Sequence, residues 1–310
     1  MSKRYFRRSR AHVCLVLLTS VCLSLTLWPS LRRAQAVNTS TRRNDLPISL
    51  IAASVRDYGI TALLPGRDGE CWFHSQKPHE QDKAIFLRFG GTVGLCRDAP
   101  VLDTPSYSEA QLCTCTAPGI EAFGLHFMEI GANDGQYLSN SLFFELQMGW
   151  TGICIEASPS TFQSLRTNRP TCAKFNVLIG SDSLPQTFYT FVSPGSWETG
   201  VSCMRGTACA EQDEDAYNYA RENNLELRID EVQMIKLSQI FQISGFRQFA
   251  WLSVDVEGAE DFVISTIDFN DIRAAYVSFE GSHSLAQKHL TENGYVEVFQ
   301  IGPDTFYSHA

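Results

Sequence analysis

Short apolar runs alternate with polar, helix-forming stretches from about residue 123 to residue 310. Parallel sheets with crossover helices have this pattern, because strands that are buried on both faces read as continuous apolar segments. The pattern predicts strands at 125–130, 152–157, 174–179, 249–256, 274–280 and 295–301, and a last antiparallel strand at 304–308. Helices are expected near 138–148, 159–167, 211–224, 259–265 and 283–292. We therefore expect one α/β domain over 123–310.

The first 122 residues follow a different pattern. Residues 1–12 form a basic tail, and residues 13–29 form an uncharged apolar segment that is typical of a signal anchor or a signal peptide. A polar, basic stem or linker covers 30–60. Residues 61–122 carry four cysteines and only short apolar runs, which predicts an irregular extension that packs on the main domain.

Charges around the apolar segment predict the orientation of a membrane anchor. The stronger positive cluster precedes the segment, so an uncleaved helix would keep the N-terminus in the cytosol. The chain would then be a single-pass type II membrane protein whose domain faces the Golgi or ER lumen. The two alternatives are a secreted protein, with a signal peptide cleaved near "AQA" at 34–36, and an organellar protein with a transit peptide.

The charges are unevenly distributed along the chain. The first 44 residues contain nine of the 25 Lys and Arg and none of the 34 Asp and Glu, which leaves a formal charge of −18 on the rest. A domain this acidic repels phosphate backbones. No nucleic-acid partner is therefore expected.

Eight cysteines follow the apolar segment, an even number that suits disulfides in an oxidising compartment. Cys203 and Cys209 flank a five-residue loop that a disulfide between them would close. Cys154 lies in the apolar strand "TGICIE" and is expected to be a buried free thiol. No Cys-x-x-Cys pair or His-Cys spacing indicates zinc, and no metal site is predicted.

The stretch "EIGANDG", residues 129–135, follows the first predicted strand of the domain. Gly131 and Gly135 allow a tight turn and a close approach to a ligand. A dinucleotide-binding turn would have its middle glycine where Asn133 stands, and Asp134 would repel the pyrophosphate. Two acids beside the turn suit a cationic ligand better than an anionic one.

Polar residues also follow the later strands, where ligands of open α/β sheets bind. Glu156 ends the second strand, a position from which a carboxylate can accept both hydroxyls of a ribose. Asp182 follows the third strand and would reach an adenine amino group. After the fourth strand, Asp255 and Glu257 point the same way in an extended segment, into the mouth of the cleft.

Seven short segments share one order with a known family: "EIGANDG", "LSNSLFFE", "GWTGICIEASP", "LRTNRP", "DVEGAEDFV", "GYVEVF" and "DTFYS". Over about residues 125–308 the chain resembles the FkbM family of S-adenosylmethionine-dependent methyltransferases. The resemblance implies a Rossmann-like class I methyltransferase sheet and S-adenosyl-L-methionine as cofactor. Its implied binding residues are Glu129, Gly131, Asn133, Asp134 and Gly135 at the methionine end, Glu156 on the ribose, Asp182 near the adenine, and Asp255 at the cleft floor.

The expected activity is O-methylation of a hydroxyl on a glycan or another sugar-containing small molecule. Methyl transfer to a hydroxyl needs near-attack geometry and a base that removes the proton. Asp255, Glu257 and His283 are the candidate catalytic residues, and Glu280 stands beside His283 in "SFEGSH".

Two other functions remain open from the sequence. A signal anchor, a stem and a luminal α/β domain also build Golgi glycosyltransferases, and Asp213-x-Asp215 has a spacing that suits Mn²⁺. A polar helix whose acids face water accounts for the same residues. Alternatively, the chain is a non-catalytic adaptor that keeps a methyltransferase fold.

Overall fold

A computed structural model describes the chain at residues 70–73, 75, 80–98, 111–116, 125–181, 183–193, 202–207 and 210–310. Its strands are β1 (Glu70–Phe73), β2 (Thr92–Asp98), β3 (Gln111–Thr116), β4 (His126–Ile130), β5 (Thr151–Ile155), β6 (Ala173–Phe175), β7 (Leu178–Ile179), β8 (Pro185–Val192), β9 (Cys203–Met204), β10 (Glu226–Ile235), β11 (Gln248–Val254), β12 (Arg273–Glu280), β13 (Tyr295–Ile301) and β14 (Asp304–His309). Its helices are α1 (Gln81–Arg88), α2 (Leu142–Leu146), α3 (Pro159–Asn168), α4 (Asp213–Glu222), α5 (Leu237–Ser244), α6 (Glu260–Ser265) and α7 (Ser284–Glu292).

Seven strands form the central sheet, in the order β13-β14-β12-β11-β4-β5-β6. Neighbouring strands from β12 to β6 pair in parallel, whereas β14 runs antiparallel to both β12 and β13. Four of the parallel strands, β4, β5, β6 and β11, are buried on both faces; in β11, every residue after Gln248 is buried. The predicted fold, a mostly parallel α/β sheet with an antiparallel last strand, is confirmed.

The helix after β4 is shorter than predicted. The pattern predicted 138–148, but α2 covers only Leu142–Leu146. Leu138 has a φ of 55°, a left-handed conformation through which a helix does not continue. Residues 131–141 therefore form turns, and these turns face the carboxyl ends of the strands.

A second sheet, in the order β7-β10-β8-β9, was not predicted. The predicted strand 174–179 divides into β6, which stays in the central sheet, and β7, which pairs in parallel with β10. β10 pairs with β8 antiparallel over eight residue pairs, from Glu226 to Gln233. Most residues of β10 before Val232 are only partly buried or exposed. A strand with so few buried positions lacks the apolar run that marks the strands of the central sheet.

The N-terminal extension contains regular elements. β1, β3 and β2 form a three-stranded antiparallel sheet in the order β1-β3-β2, and Cys71 is joined to Cys115 by a disulfide. The rings of Phe73 and Phe86 lie 4.6 and 5.2 Å from the ring of Phe143 in α2. These contacts bury the extension against the helix that follows the glycine turn.

Cys154 is not a free thiol: it forms a disulfide with Cys172. Cys154 lies opposite Lys174 in the parallel pairing of β5 with β6, so Cys172 is two residues from the facing position. The prediction was wrong because it considered the strand of Cys154 without its neighbour. Cys203 is also disulfide-bonded, and Cys209 lies outside the described residues.

The membrane prediction is corrected by the structure. No helix among the described residues is both long and apolar enough to cross a membrane. The longest of them, α3 and α4, have 10 residues each, whereas a spanning helix needs about 20. The apolar segment 13–29 lies outside the described residues. The prediction of a single-pass type II membrane protein facing the Golgi or ER lumen is therefore wrong for the part of the chain that the structure describes.

Candidate active site

Backbone hydrogen bonds join the glycine turn after β4, residues 131–135, to the ends of β5 and β11. The amides of Gly131 and Ala132 both donate to the carbonyl oxygen of Ile155, at 2.9 Å, and the amide of Asp255 donates to Ile130. Gly131 has a φ of 87°, and a Cβ atom there would lie 1.7 Å from the carbonyl oxygen of Asp255. Only glycine fits this position, because the clash is with backbone. The turn thus lies directly beside the end of β11.

Asp134 stabilises the turn with one carboxylate oxygen. Its Oδ1 accepts the amides of Gln136 and Tyr137, at 2.8 and 2.7 Å. Its Oδ2 is buried and has no hydrogen-bond partner among the described residues. A buried carboxylate oxygen without a donor is costly, so a donor or a cation from a ligand would stabilise it.

Glu156 connects the end of β5 to the glycine turn. The side chain is buried, and its two oxygens accept the amides of Asn133, at 2.9 Å, and Ser158, at 2.7 Å. Asn133 has a left-handed φ of 50°, and its bond to Glu156 holds that conformation. The structure therefore brings Glu156, Asn133 and Asp134 together at one edge of the sheet.

Glu129 is buried, and its carboxylate is bound by protein groups. Its carboxylate is 2% exposed and accepts the amide of Asn140 at 2.7 Å and the hydroxyl of Ser141 at 2.7 Å. The guanidinium of Arg169 donates to it at 3.0 Å. Protein groups therefore surround Glu129, and its predicted contact with the cofactor stays a prediction.

Arg169 and Glu145 complete this buried group, which the sequence did not predict. Arg169 is fully buried, and its Nε donates to Glu145 at 2.5 Å. Burial raises the pKa of Glu145, but the charge of Arg169 and hydrogen bonds from Arg169 and Thr171 outweigh that effect and hold the pKa below its usual value. We call Glu129, Glu145 and Arg169 the compensated cluster.

A second set of acids lies at the ends of β11 and β12. Carboxylate oxygens of Asp255, Glu257 and Glu280 lie within 4.8 Å of one another. Burial, followed by the charges of Glu257 and Glu280, raises the pKa of Asp255 well above its usual value. Burial and the charge of Glu280 also raise the pKa of Glu257 to about 7. We call these three residues the acidic cluster; three oxygen ligands at this spacing also suit Mg²⁺ or Ca²⁺.

His283 lies beside two acids at the start of α6. Its Nε2 lies 3.2 Å from Oε2 of Glu260, and its Nδ1 lies 3.8 Å from Oδ2 of Asp261. Glu260 is 1% exposed and belongs to the first turn of α6. The sequence contained Glu260 within "DVEGAED", but its spacing alone did not distinguish it from a solvated helix acid.

Asp182 lies outside the described residues, so the structure does not define the predicted adenine contact. Its neighbours Gly180 and Ser181 line a cavity of about 550 Å³, together with Lys236, Phe241 and Phe262. This cavity lies between α5 and α6. Gly180 directly follows β7, so the cavity begins beside a strand of the second sheet.

Asp213 and Asp215, the candidate manganese ligands, serve other partners. Asp213 accepts hydrogen bonds from the hydroxyl of Tyr189 and from Arg205. Asp215 accepts the amide of Gln212 at 2.9 Å and so closes a capping box at the start of α4. These contacts account for both acids without a nucleotide diphosphate.

Comparison with known families gives a match to the FkbM methyltransferase domain over residues 129–298, more than half of the 310-residue chain. A search of curated proteins gives no significant match. Among solved structures, the chain is similar to the crystal structure of precorrin-6y C5,15-methyltransferase from Geobacter metallireducens, at 11% identity and a TM-score of 0.27. That similarity covers 59% of this chain and 77% of the other.

Proposed function

The chain belongs to the FkbM methyltransferase family, and from this premise we propose that it is an S-adenosylmethionine-dependent O-methyltransferase. The observation that carries the proposal is the position of the acidic cluster. It lies at the carboxyl ends of β11 and β12, beside the glycine turn after β4. Ligands of open α/β sheets bind at this edge.

The residues of the turn fit the cofactor. S-adenosylmethionine has a sulfonium and an amino group, and Asp134 has a buried carboxylate oxygen without a partner among the described residues. Glu156 directly follows β5, where its carboxylate receives the ribose hydroxyls in addition to its backbone amides. We assign Gly131, Asn133 and Gly135 to the backbone around the methionine end.

Bound at this site, the cofactor supplies an electrophilic methyl group on sulfur. Glu257 removes the proton from the acceptor hydroxyl, since a base with a pKa of about 7 is half ionised near neutral pH. Asp255 forms the floor of the cleft and accepts a hydrogen bond from the acceptor. Base catalysis of this kind contributes about 10²–10⁴-fold to the rate.

The acceptor that we propose is a hydroxyl of a sugar-containing molecule. This part of the proposal rests on the family resemblance, and the acidic cluster supports it because several carboxylates accept hydrogen bonds from several hydroxyls at once. A panel of monosaccharides and methyl glycosides, incubated with the protein and isotopically labelled S-adenosylmethionine, tests it by mass spectrometry. A labelled product one methyl group heavier than a sugar is the expected result, and transfer only to amines or thiols would contradict it.

Calorimetric titration with S-adenosylmethionine tests the cofactor assignment separately. We expect Asp134→Asn to weaken binding by about tenfold or more, because the charged partner of the cofactor's amino group is lost. Glu292→Gln is the matched control, since Glu292 lies on the exposed face of α7. Unchanged affinity of Asp134→Asn, or no binding to correctly folded wild-type protein, would contradict the assignment.

A further inference from the structure

Glu257 occupies a backbone conformation that its neighbours must maintain. Its φ is 56°, and that of Gly258 is 103°. A non-glycine residue with a left-handed φ is disfavoured by contact between its Cβ atom and the backbone. Such a residue persists only where the surrounding structure holds it, and such positions cluster at functional sites.

Glu260 holds the two residues that flank Glu257. Its Oε1 accepts the amide of Val256 at 3.0 Å, and its Oε2 accepts the amide of Gly258 at 2.9 Å. The carboxylate is 1% exposed, so water does not compete for these bonds. A single buried side chain therefore determines the shape of the turn on both sides of Glu257.

His283 binds the same carboxylate from the next helix. Its Nε2 lies 3.2 Å from Oε2 of Glu260, a distance at which an N–H group on Nε2 reaches the carboxylate. His283 is the N-cap residue of α7. Asp261 accepts the amide of Ala286 at 2.7 Å, which joins α6 to α7 beside this contact.

We propose that Glu260 and His283 are positioning residues that hold the turn Val256–Gly258, and with it the carboxylate of Glu257, in the acidic cluster. His283 then acts through Glu260 and does not itself remove the acceptor proton. The inference rests on the proposed role of Glu257 as the base. The proposal gives Glu260 a role in positioning Glu257, in addition to its hydrogen bonds with backbone amides at the start of α6.

The charge of Glu260 affects the pKa of Glu257, so a change at Glu260 can be followed through the titration of Glu257. After burial and Glu280, the charge of Glu260 is the next cause that raises the pKa of Glu257. Asp255 and Glu280 face Glu257 from the ends of β11 and β12, and Asp261 faces His283 from α6. Replacing Glu260 by neutral Gln therefore changes both the shape of the turn and the titration of Glu257.

Glu260→Gln in the full-length chain is the first test. The two amides donate to different oxygens of Glu260, and in Gln one of those two atoms is an NH2 group, which does not accept a backbone amide. We expect hydrogen exchange in a peptide covering 255–260 to accelerate about tenfold or more. We also expect the Glu257 titration, followed by ¹³C NMR with Glu257→Gln for assignment, to move down by about one pH unit.

Two His283 variants separate a positioning role from a catalytic one. His283→Gln keeps a donor able to reach Glu260, whereas His283→Phe keeps a ring and removes the donor. We expect exchange in 255–260 to stay within about twofold of wild type in His283→Gln and to accelerate about tenfold in His283→Phe. With a sugar acceptor from the panel, His283→Gln should retain most of kcat and His283→Phe should lose about tenfold.

Equal and complete loss of kcat in both His283 variants, with unchanged exchange, would overturn the proposal and make His283 the base. Unchanged exchange in both Glu260→Gln and His283→Phe would also overturn it. Glu292→Gln on α7 is the control and should match wild type in every measurement. Exchange and the Glu257 titration need no cofactor, so these results stay interpretable if S-adenosylmethionine does not bind.

Discussion

The compensated cluster and the acidic cluster contain the same kind of side chain in opposite electrostatic settings. Glu129 and Glu145 surround the buried guanidinium of Arg169, and the pKa of Glu145 is lowered. Asp255, Glu257 and Glu280 surround one another, and the pKa values of Asp255 and Glu257 are raised. Acids whose pKa a neighbouring guanidinium lowers stay ionised, whereas acids whose pKa burial and neighbouring acids raise are suited to exchange protons. Under the proposed function, the compensated cluster supports the turn and the acidic cluster carries out the proton transfer.

Among the predictions, replacement of Arg169 should have the largest effect, a loss of folding stability. Arg169→Met removes the guanidinium that binds both Glu129 and Glu145, and we expect a loss of about 3–5 kcal/mol in the free energy of unfolding, measured by urea denaturation. Arg169→Lys, which keeps the charge but not the forked geometry, should lose less. A loss below about 1 kcal/mol in Arg169→Met would mean that the cluster does not support the fold.

The Arg169→Met effect should also depend on pH. The folded-state pKa of Glu145 is lowered, so its contribution to stability is present above the unfolded pKa and is lost as pH falls through the folded value. The difference between Arg169→Met and wild type should therefore shrink below about pH 4. A pH-independent difference would contradict the assigned charge interaction.

In the acidic cluster, Glu257→Gln should lower the rate of methyl transfer. We expect kcat to fall by about 10²–10⁴-fold, because the acceptor proton has no base. Affinity for S-adenosylmethionine should stay within about twofold of wild type, since the side chain acts on the acceptor. A mutant that lost cofactor affinity and kept kcat would show that Glu257 belongs to the cofactor pocket instead.

The same substitution should stabilise the protein above neutral pH. The pKa of Glu257 is raised to about 7, so the folded state keeps a proton that the unfolded chain releases near its ordinary pKa, and stability decreases as pH rises between those values. Glu257→Gln removes this loss, and we expect a gain of about 1–2 kcal/mol at pH 8, allowing for partial exposure. No gain is expected at pH 4.5, and thermal unfolding at the two pH values measures the difference.

The smallest expected effect is that of removing divalent cations on the rate of methyl transfer. If Glu257 acts as a base, EDTA should leave the rate of methyl transfer within about twofold of the untreated enzyme. A loss of activity that Mg²⁺ restores would show instead that Asp255, Glu257 and Glu280 are metal ligands.

The sequence predicted the central sheet because β4, β5, β6 and β11 are buried on both faces and read as apolar runs. β10 was not predicted, because a partly exposed strand with Arg228, Asp230 and Glu231 resembles a polar linker. β8, which pairs with β10, was not predicted either, although its residues 188–192 are buried. The register that places Cys172 near Cys154 depends on which strands are neighbours, and periodicity carries no such information.

The candidate site was predictable only in part. Gly131, Asn133, Asp134 and Glu156 follow strands of the predicted sheet, and the structure brings them together at one edge. Arg169 contacts Glu129 across 40 residues of sequence and Glu145 across 24, and local spacing does not reveal such contacts. The role proposed for Glu260 depends on its hydrogen bonds to two backbone amides, which sequence spacing does not reveal.

The strand order has a consequence for how the domain is made. β14 is synthesised after β13 but lies between β13 and β12, and its first residue, Asp304, pairs with Glu280 at the end of β12. A nascent chain that has not yet released residues 304–309 from the ribosome therefore has an open edge on β12 and no partner for β13. Unpaired strand edges promote aggregation. A chain that terminates just before Asp304 should thus aggregate or be degraded, and should not fold into a shorter active domain.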